Sequence, residues 1–146
     1  HNSRLGDEVI LANGALLGGH VVVQNRAFIS GNCLVHQRVR IGTLSLMQGG
    51  AAVSKDLPPY TIARGVNRLC GLNTVGLRRA GFTNEQRLEL RRLYHLLFRS
   101  GAKLRSAVEK ARMEFASEFA HVLIEFIRSS ERGVCADPGR SGESAD

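Results

Sequence analysis

Tryptophan is absent, and aromatic residues make up only 5% of the 146 residues. An ordinary globular core leans on aromatic rings, so the core here must be built from small aliphatic side chains. No apolar run approaches the about 18 residues of a membrane-crossing helix, which excludes an integral membrane segment. No charged segment precedes a short apolar one, so no secretory signal is visible. The three cysteines, Cys33, Cys70 and Cys135, are odd in number and widely spaced. They form neither a metal-binding Cys-x-x-Cys pattern nor a disulfide framework. Cys33 and Cys70 read as small apolar residues, and with no export signal a reducing cytoplasm is expected. Proline is scarce too, and two of the three stand side by side at Pro58 and Pro59. The chain opens on His1 rather than Met, which predicts a fragment or a processed product.

What is present narrows the class further. Apolar residues at 43% exclude wholesale disorder. The net charge of +7 is unevenly distributed: residues 78–112 carry ten basic and three acidic residues, residues 113–146 three and seven. A basic block of this kind fits nucleic acid, an acidic protein or a phosphorylated ligand. The stacking aromatics of single-strand binders are missing from it, and no nucleic-acid partner is expected.

The strongest signal is a repeat of period six. Leu5, Leu11, Leu17, Val23, Ile29, Val35, Ile41, Met47 and Val53 are all aliphatic or Met. Two positions earlier, Ser3, Val9, Ala15, Val21, Ala27, Cys33, Val39, Ser45 and Ala51 are all small. A short strand and a turn every six residues make one flat face, and three faces close a coil of 18 residues. Each bulky residue then stacks on the one 18 later, about 4.8 Å along the axis, with the small residue fitting near a corner. This predicts a parallel β-helix, a solenoid of hexapeptide repeats, over residues 1–60. Gly6, Gly18, Gly31 and Gly42 fall at or near its turns, where glycine is expected for its backbone freedom. Three coils with no cap before His1 imply further coils upstream. The two prolines remove two ladder donors and are expected to end the stacking.

A connector at 61–82, short and irregular or extended from Thr61 to Gly76, leads to a helical C-terminal domain at 83–133. Thr83 to Gln86 reads as a capping box. Apolar stripes at i, i+3, i+4 and i+7 predict three helices over about 84–99, 103–115 and 118–131. Residues 134–146, rich in Gly, Ser and Asp, are expected to fray.

Three histidines of the coils, His1, His20 and His36, fall on neighbouring coils along one edge of the prism. No His-x₃-His or His-x₄-His pair is present, so no metal is expected. Imidazole instead suits a general base on a hydroxyl in acyl transfer, and Gly18-Gly19-His20 offers a backbone N–H suited to an oxyanion hole. Arg78 and Arg79 suit a diphosphate.

Taken together, Ile10 to His20, Val35-His36-Gln37, Asp56-Leu57-Pro58-Pro59-Tyr60 and Gly76-Leu77-Arg78-Arg79-x-Gly81-Phe82 closely resemble the acyl-carrier-protein–UDP-N-acetylglucosamine O-acyltransferase family, over about residues 1–133. The resemblance implies transfer of a 3-hydroxyacyl group from acyl carrier protein to the 3-hydroxyl of UDP-N-acetylglucosamine, the first step of lipid A biosynthesis. It places the catalytic base on His1 and the oxyanion N–H on Gly19. It puts substrate contacts on His20, His36, Gln37, Asn73 and Arg79, and a position of the acyl groove on Gly49. It implies a left-handed sense for the β-helix, a homotrimer with sites between subunits and no cofactor beyond the carrier's phosphopantetheine. The basic block, with Arg78, Arg91 and Arg92, is then a docking surface for the acidic carrier. A related hexapeptide-repeat N-acyltransferase of the same pathway, or a trimerising remnant without activity, is the alternative.

Overall fold

The computed structural model describes residues 1–139. Nine two-residue strands recur every six residues: Arg4–Leu5 (β1), Ile10–Leu11 (β2), Leu16–Leu17 (β3), Val22–Val23 (β4), Phe28–Ile29 (β5), Leu34–Val35 (β6), Arg40–Ile41 (β7), Leu46–Met47 (β8) and Ala52–Val53 (β9). Each of the first six pairs in parallel with the strand 18 residues on, so Leu5 stacks on Val23 and Leu11 on Ile29. The result is a left-handed parallel β-helix with three flat sheets: β1, β4 and β7; β2, β5 and β8; and β3, β6 and β9. Both repeat series point inward. Val21, Ala27, Cys33, Val39, Ser45 and Ala51 are fully buried, beside Val23, Ile29, Val35, Ile41, Met47 and Val53. The first coil's own inward residues Leu5 and Leu11 remain 51% and 41% exposed, because this end of the prism is open.

The corners correct the expectation about glycine. The left-handed backbone falls with period six on Asn2, Glu8, Gly14, His20, Arg26, Asn32, Arg38, Leu44 and Gly50, mostly on residues other than glycine. Gly6, Gly18 and Gly42 serve a different purpose, close approach of the next coil. A Cβ on Gly18 would lie 2.5 Å from the Gln37 backbone nitrogen, and one on Gly42 2.3 Å from that of Pro59.

The prolines do not end the stacking. Leu57 donates its N–H to the Arg40 carbonyl just before them, and Tyr60 to that of Thr43 just after. Strand Thr61–Arg64 (β10) then joins the second sheet, pairing Ile62 with Leu46 and Ala63 with Met47. Pro58 and Pro59 sit where the coil turns, and the ladder donors on either side are intact, so a fourth, irregular coil forms. The stretch expected to be irregular or extended is extended for most of its length, an antiparallel hairpin of β10 with Arg68–Leu72 (β11), and then turns into a short helix, Thr74–Arg79 (α1).

The helical region follows its periodicity. Asn84–Tyr94 (α2) opens on the Thr83 capping box, and Leu104–Glu114 (α3) and Glu118–Arg128 (α4) pack with it around Leu90, Leu93, Ala107, Leu123 and Ile124. The single helix expected to reach residue 99 instead changes to π-helical winding over His95–Arg99. The segment expected to fray from 134 is tied down through its described part. Val134 bridges Asp56, Ala136 bridges Arg68, and Cys135 is buried. The Asp137 carboxylate, only 3% exposed, accepts from the Tyr94 hydroxyl at 2.6 Å and from Arg99 Nε at 2.9 Å. Residues 140–146 of that expected tail lie outside the described residues. Among the described residues, no helix is long and apolar enough to cross a membrane.

Candidate active site

One corner of the prism, between the β3–β6–β9 sheet and the β1–β4–β7 sheet, gathers most of the residues singled out in the sequence. Residues 18 apart stack there: His1, Gly19 and Gln37 on one line, Asn2, His20 and Arg38 on the next. The His20 N–H donates to the His1 carbonyl at 3.0 Å, and the Arg38 N–H to that of Gly19 at 2.9 Å. His36 follows β6 at the same corner and donates its N–H to the Val53 carbonyl at 2.9 Å. The side chains of His1, His20, His36 and Gln37 are exposed, so all four are available to a ligand.

Gly18 and Gly19 illustrate how local sequence shapes this corner. Gly18 has no room for a side chain. Around Gly19 the nearest atom to an added Cβ is the His1 carbonyl oxygen at 3.5 Å, an ordinary contact. Packing therefore does not require glycine at 19. Its N–H has no hydrogen-bond partner among the described residues, in contrast to the equivalent groups of Asp7 and Thr43, which donate to the side chains of Asn25 and Gln24. The N–H groups of Gly31 and Gln37 are also without partners among the described residues. What distinguishes Gly19 is its place among the three histidines.

Beside the corner lies a groove of about 580 Å³ along the outer face of the β3–β6–β9 sheet. Leu16, Leu34 and Val66 form its apolar floor, and Gly19, His36, Gln37 and Ser54 its polar edge. Leu16 is 62% exposed and Val66 67%, an apolar stripe of the kind that marks a ligand or partner surface. Gly49 stands at the opposite edge of this sheet, its Cβ direction open apart from the Gly31 carbonyl at 3.8 Å.

The remaining candidates lie elsewhere in the protomer. Asn73 caps α1, its side chain accepting from Gly76 N–H at 3.1 Å and donating to the Leu44 carbonyl at 2.9 Å. Leu44 belongs to a different corner, between the β1–β4–β7 and β2–β5–β8 sheets. Arg79 ends α1 on that side. Arg78, Arg79, Arg91 and Arg92 are all exposed and form no ion pair among the described residues. Among the described residues no three His, Cys, Asp or Glu side chains converge as a metal-ligand set. Sequence reasoning missed Arg132, whose guanidinium reaches the histidine corner. Nothing in the local pattern at 128–133 announces that contact across 95 positions.

A sequence model of UDP-N-acetylglucosamine O-acyltransferase, domain 2, matches residues 56–135. The chain belongs to the UDP-N-acetylglucosamine O-acyltransferase family. The acyl-[acyl-carrier-protein]–UDP-N-acetylglucosamine O-acyltransferase of Syntrophobacter fumaroxidans is 49% identical over 137 residues, covering 92% of this chain and 53% of that protein. That of Thermodesulfovibrio yellowstonii is 42% identical over 138 residues, with the same coverage. Among solved structures, the Francisella novicida UDP-N-acetylglucosamine acyltransferase superposes with a TM-score of 0.90 at 34% identity, over 97% of this chain and 53% of that one. This acyltransferase-family chain thus spans about half the length of the curated relatives it matches. The similarity to the relative from Syntrophobacter extends through the coils that hold the histidine corner as well as the helical region.

Proposed function

We propose that the protein carrying this chain transfers a 3-hydroxyacyl group from acyl carrier protein to the 3-hydroxyl of UDP-N-acetylglucosamine, the opening step of lipid A biosynthesis. The observation that carries this is the convergence of His1, Gly19, His20, His36 and Gln37 at one corner, beside an apolar groove. The relatives' names supply the two substrates. His1 takes the proton of the sugar hydroxyl. The oxygen attacks the thioester carbonyl, and the partnerless Gly19 N–H donates to the developing oxyanion. The ester forms as the carbon–sulfur bond breaks, and the carrier thiolate leaves with the proton held by the imidazole. His20, His36 and Gln37 bind the nucleotide sugar, and the acyl chain lies along the groove towards Gly49.

Asn73 and Arg79 lie at another corner of the protomer, so their role in the same site is met in a homotrimer with sites between subunits. The apolar outer faces, with Ile10 51% and Leu34 51% exposed, suit that association and supply subunit contacts. The exposed arginines 78, 91 and 92 dock the acidic carrier, in the cytoplasm where the carrier is found. The uncovered end of the first coil is the surface on which further coils would stack.

The test is transfer of a labelled 3-hydroxyacyl group from its carrier protein to UDP-N-acetylglucosamine. His1→Ala is expected to lower kcat by about a hundredfold or more, and undiminished turnover overturns the assignment. Reversing the charge of Arg78, Arg91 and Arg92 together is expected to raise the KM for the acyl carrier, with little change in that for the sugar nucleotide.

A further inference from the structure

The geometry points to Arg132 as a positioning residue for the histidine corner, an inference that rests on the acyltransferase reading of that corner. The corner is held by a ladder in which each coil's N–H donates to the coil before: His20 to the His1 carbonyl at 3.0 Å and Arg38 to the Gly19 carbonyl at 2.9 Å. The repeat calls for a third step, from the Asp56 N–H to the Gln37 carbonyl. That step is missing. The Asp56 N–H donates instead to the Gly133 carbonyl at 2.9 Å. The next residue back along the chain fills the gap: Arg132 Nη1 donates to the Gln37 carbonyl at 2.9 Å, and its Nε to the Ser54 carbonyl at 2.9 Å. Both acceptors belong to residues that line the groove.

The consequence is a continuous row of peptide units. The Gln37 carbonyl shares a peptide plane with the Arg38 N–H, and the Gly19 carbonyl with the His20 N–H. The row therefore runs from the Arg132 guanidinium through Gln37–Arg38 and Gly19–His20 to the His1 carbonyl. Hydrogen bonds in such a chain polarise one another, and one with a charged donor is stronger than its neutral counterpart. A cation at its end fixes the plane from which the Gln37 side chain leaves. Arg132 touches no substrate in this arrangement. It acts through Gln37, assigned to the sugar nucleotide, so its loss falls on substrate binding rather than on the chemical step.

The experiment compares Arg132→Gln, Arg132→Lys and, as a control away from the corner, Arg128→Gln in the whole protein. Two readouts are taken: amide hydrogen exchange at Arg38 and His20, and kcat and KM for UDP-N-acetylglucosamine in acyl transfer. R132Q is expected to speed exchange at Arg38 by about tenfold and raise the KM by about tenfold, with kcat within about twofold and the helical region's exchange unchanged. R132K, which restores one charged donor, is expected to recover most of both, and R128Q to match wild type. Unchanged exchange at Arg38 in R132Q overturns the proposal, as does faster exchange with an unchanged KM. If wild type transfers no acyl group to the sugar nucleotide, the acyltransferase reading falls, and the exchange comparison alone then decides whether Arg132 holds the corner.

Discussion

Gly18 and Gly19 are adjacent glycines with opposite surroundings, and the contrast separates architecture from chemistry. A methyl group on Gly18 meets backbone atoms of Gln37, at 2.5 Å to nitrogen and 2.9 Å to Cα, and neither can move without shifting a whole coil. Gly18→Ala is expected to destabilise the protein by about 2–3 kcal/mol, the usual cost of overpacking. Gly19→Ala meets only an ordinary contact and is expected to change stability by less than about 0.5 kcal/mol. Urea denaturation of the two variants checks this, and equal losses would refute the distinction. The corner's backbone gives no comparable mark. His20 has a φ of +58°, but Glu8, Arg26 and Leu44 share that conformation at equivalent corners. The left-handed turn is a property of the repeat, and an N–H without a partner among the described residues recurs at Gly31, so it is side-chain identity, the three histidines, that singles out this corner.

At the scale of elements, an ion pair between half-buried Arg40 and the buried Asp56 carboxylate helps join the solenoid to the helices. Arg40 projects outward from β7. Its guanidinium contacts Asp56 at 3.3 Å, the Phe126 carbonyl at 2.8 Å and the Ser129 hydroxyl at 3.3 Å, and lies 4.1 Å above the Phe126 ring. Asp56 is 2% exposed and also accepts from the Arg40 N–H and the Ser130 hydroxyl, each at 2.8 Å. Arg40→Met keeps the aliphatic stem and leaves a buried carboxylate without its cation, at an expected cost of about 3 kcal/mol. Adding Asp56→Asn should recover part of it, since the buried charge then goes too. A single variant within about 1 kcal/mol of wild type in urea denaturation would show that the latch contributes little. Elements such as β1 to β9 and α2 to α4 were legible because period six and period 3.6 are local, and each residue in them obeys its own stripe. Asp56 was legible only as part of a proline-containing motif. Its burial depends on Arg40, Ser130 and Gly133, whose approach no local period encodes. The same holds for the fourth coil, whose spacing to the third is 16 residues rather than 18, and for the strand-like pairing of residues 134 and 136. Of the candidate site, the alignment of His1, His20 and His36 along one edge was legible from the 18-residue coil, and Gly19 and Gln37 from the family motif. Arg132 was not, because it enters from outside the repeat.

The molecule as a whole carries a seam of buried acidic protons where the last coil, the hairpin and the helices meet. The Tyr60 hydroxyl donates to the Phe119 carbonyl at 2.9 Å, and the Tyr94 hydroxyl to Asp137 at 2.6 Å. Burial holds both phenols above their ordinary value of 10, and for Tyr94 the Asp137 carboxylate adds to it. Burial, with a further push from Asp56, raises the Cys135 thiol from 9.0 to about 12. Each group is neutral when protonated, and folding raises its affinity for the proton. The stabilisation is therefore complete below the unfolded-state value and is lost as pH climbs towards the folded one. For Cys135 the loss starts near pH 9 and runs to about 12. The tyrosines add to it above about pH 10. Melting temperatures measured from pH 7 to 11.5 should stay level with respect to these groups up to about pH 8.5 and then fall. Cys135→Ala removes a buried sulfur and lowers stability at every pH. It should also flatten the decline between pH 9 and 10, where only the thiol titrates among the three. Parallel curves for wild type and variant across that interval would exclude Cys135 as the source. A wild-type melting temperature constant to pH 11.5 would show that folding does not raise the proton affinity of these groups.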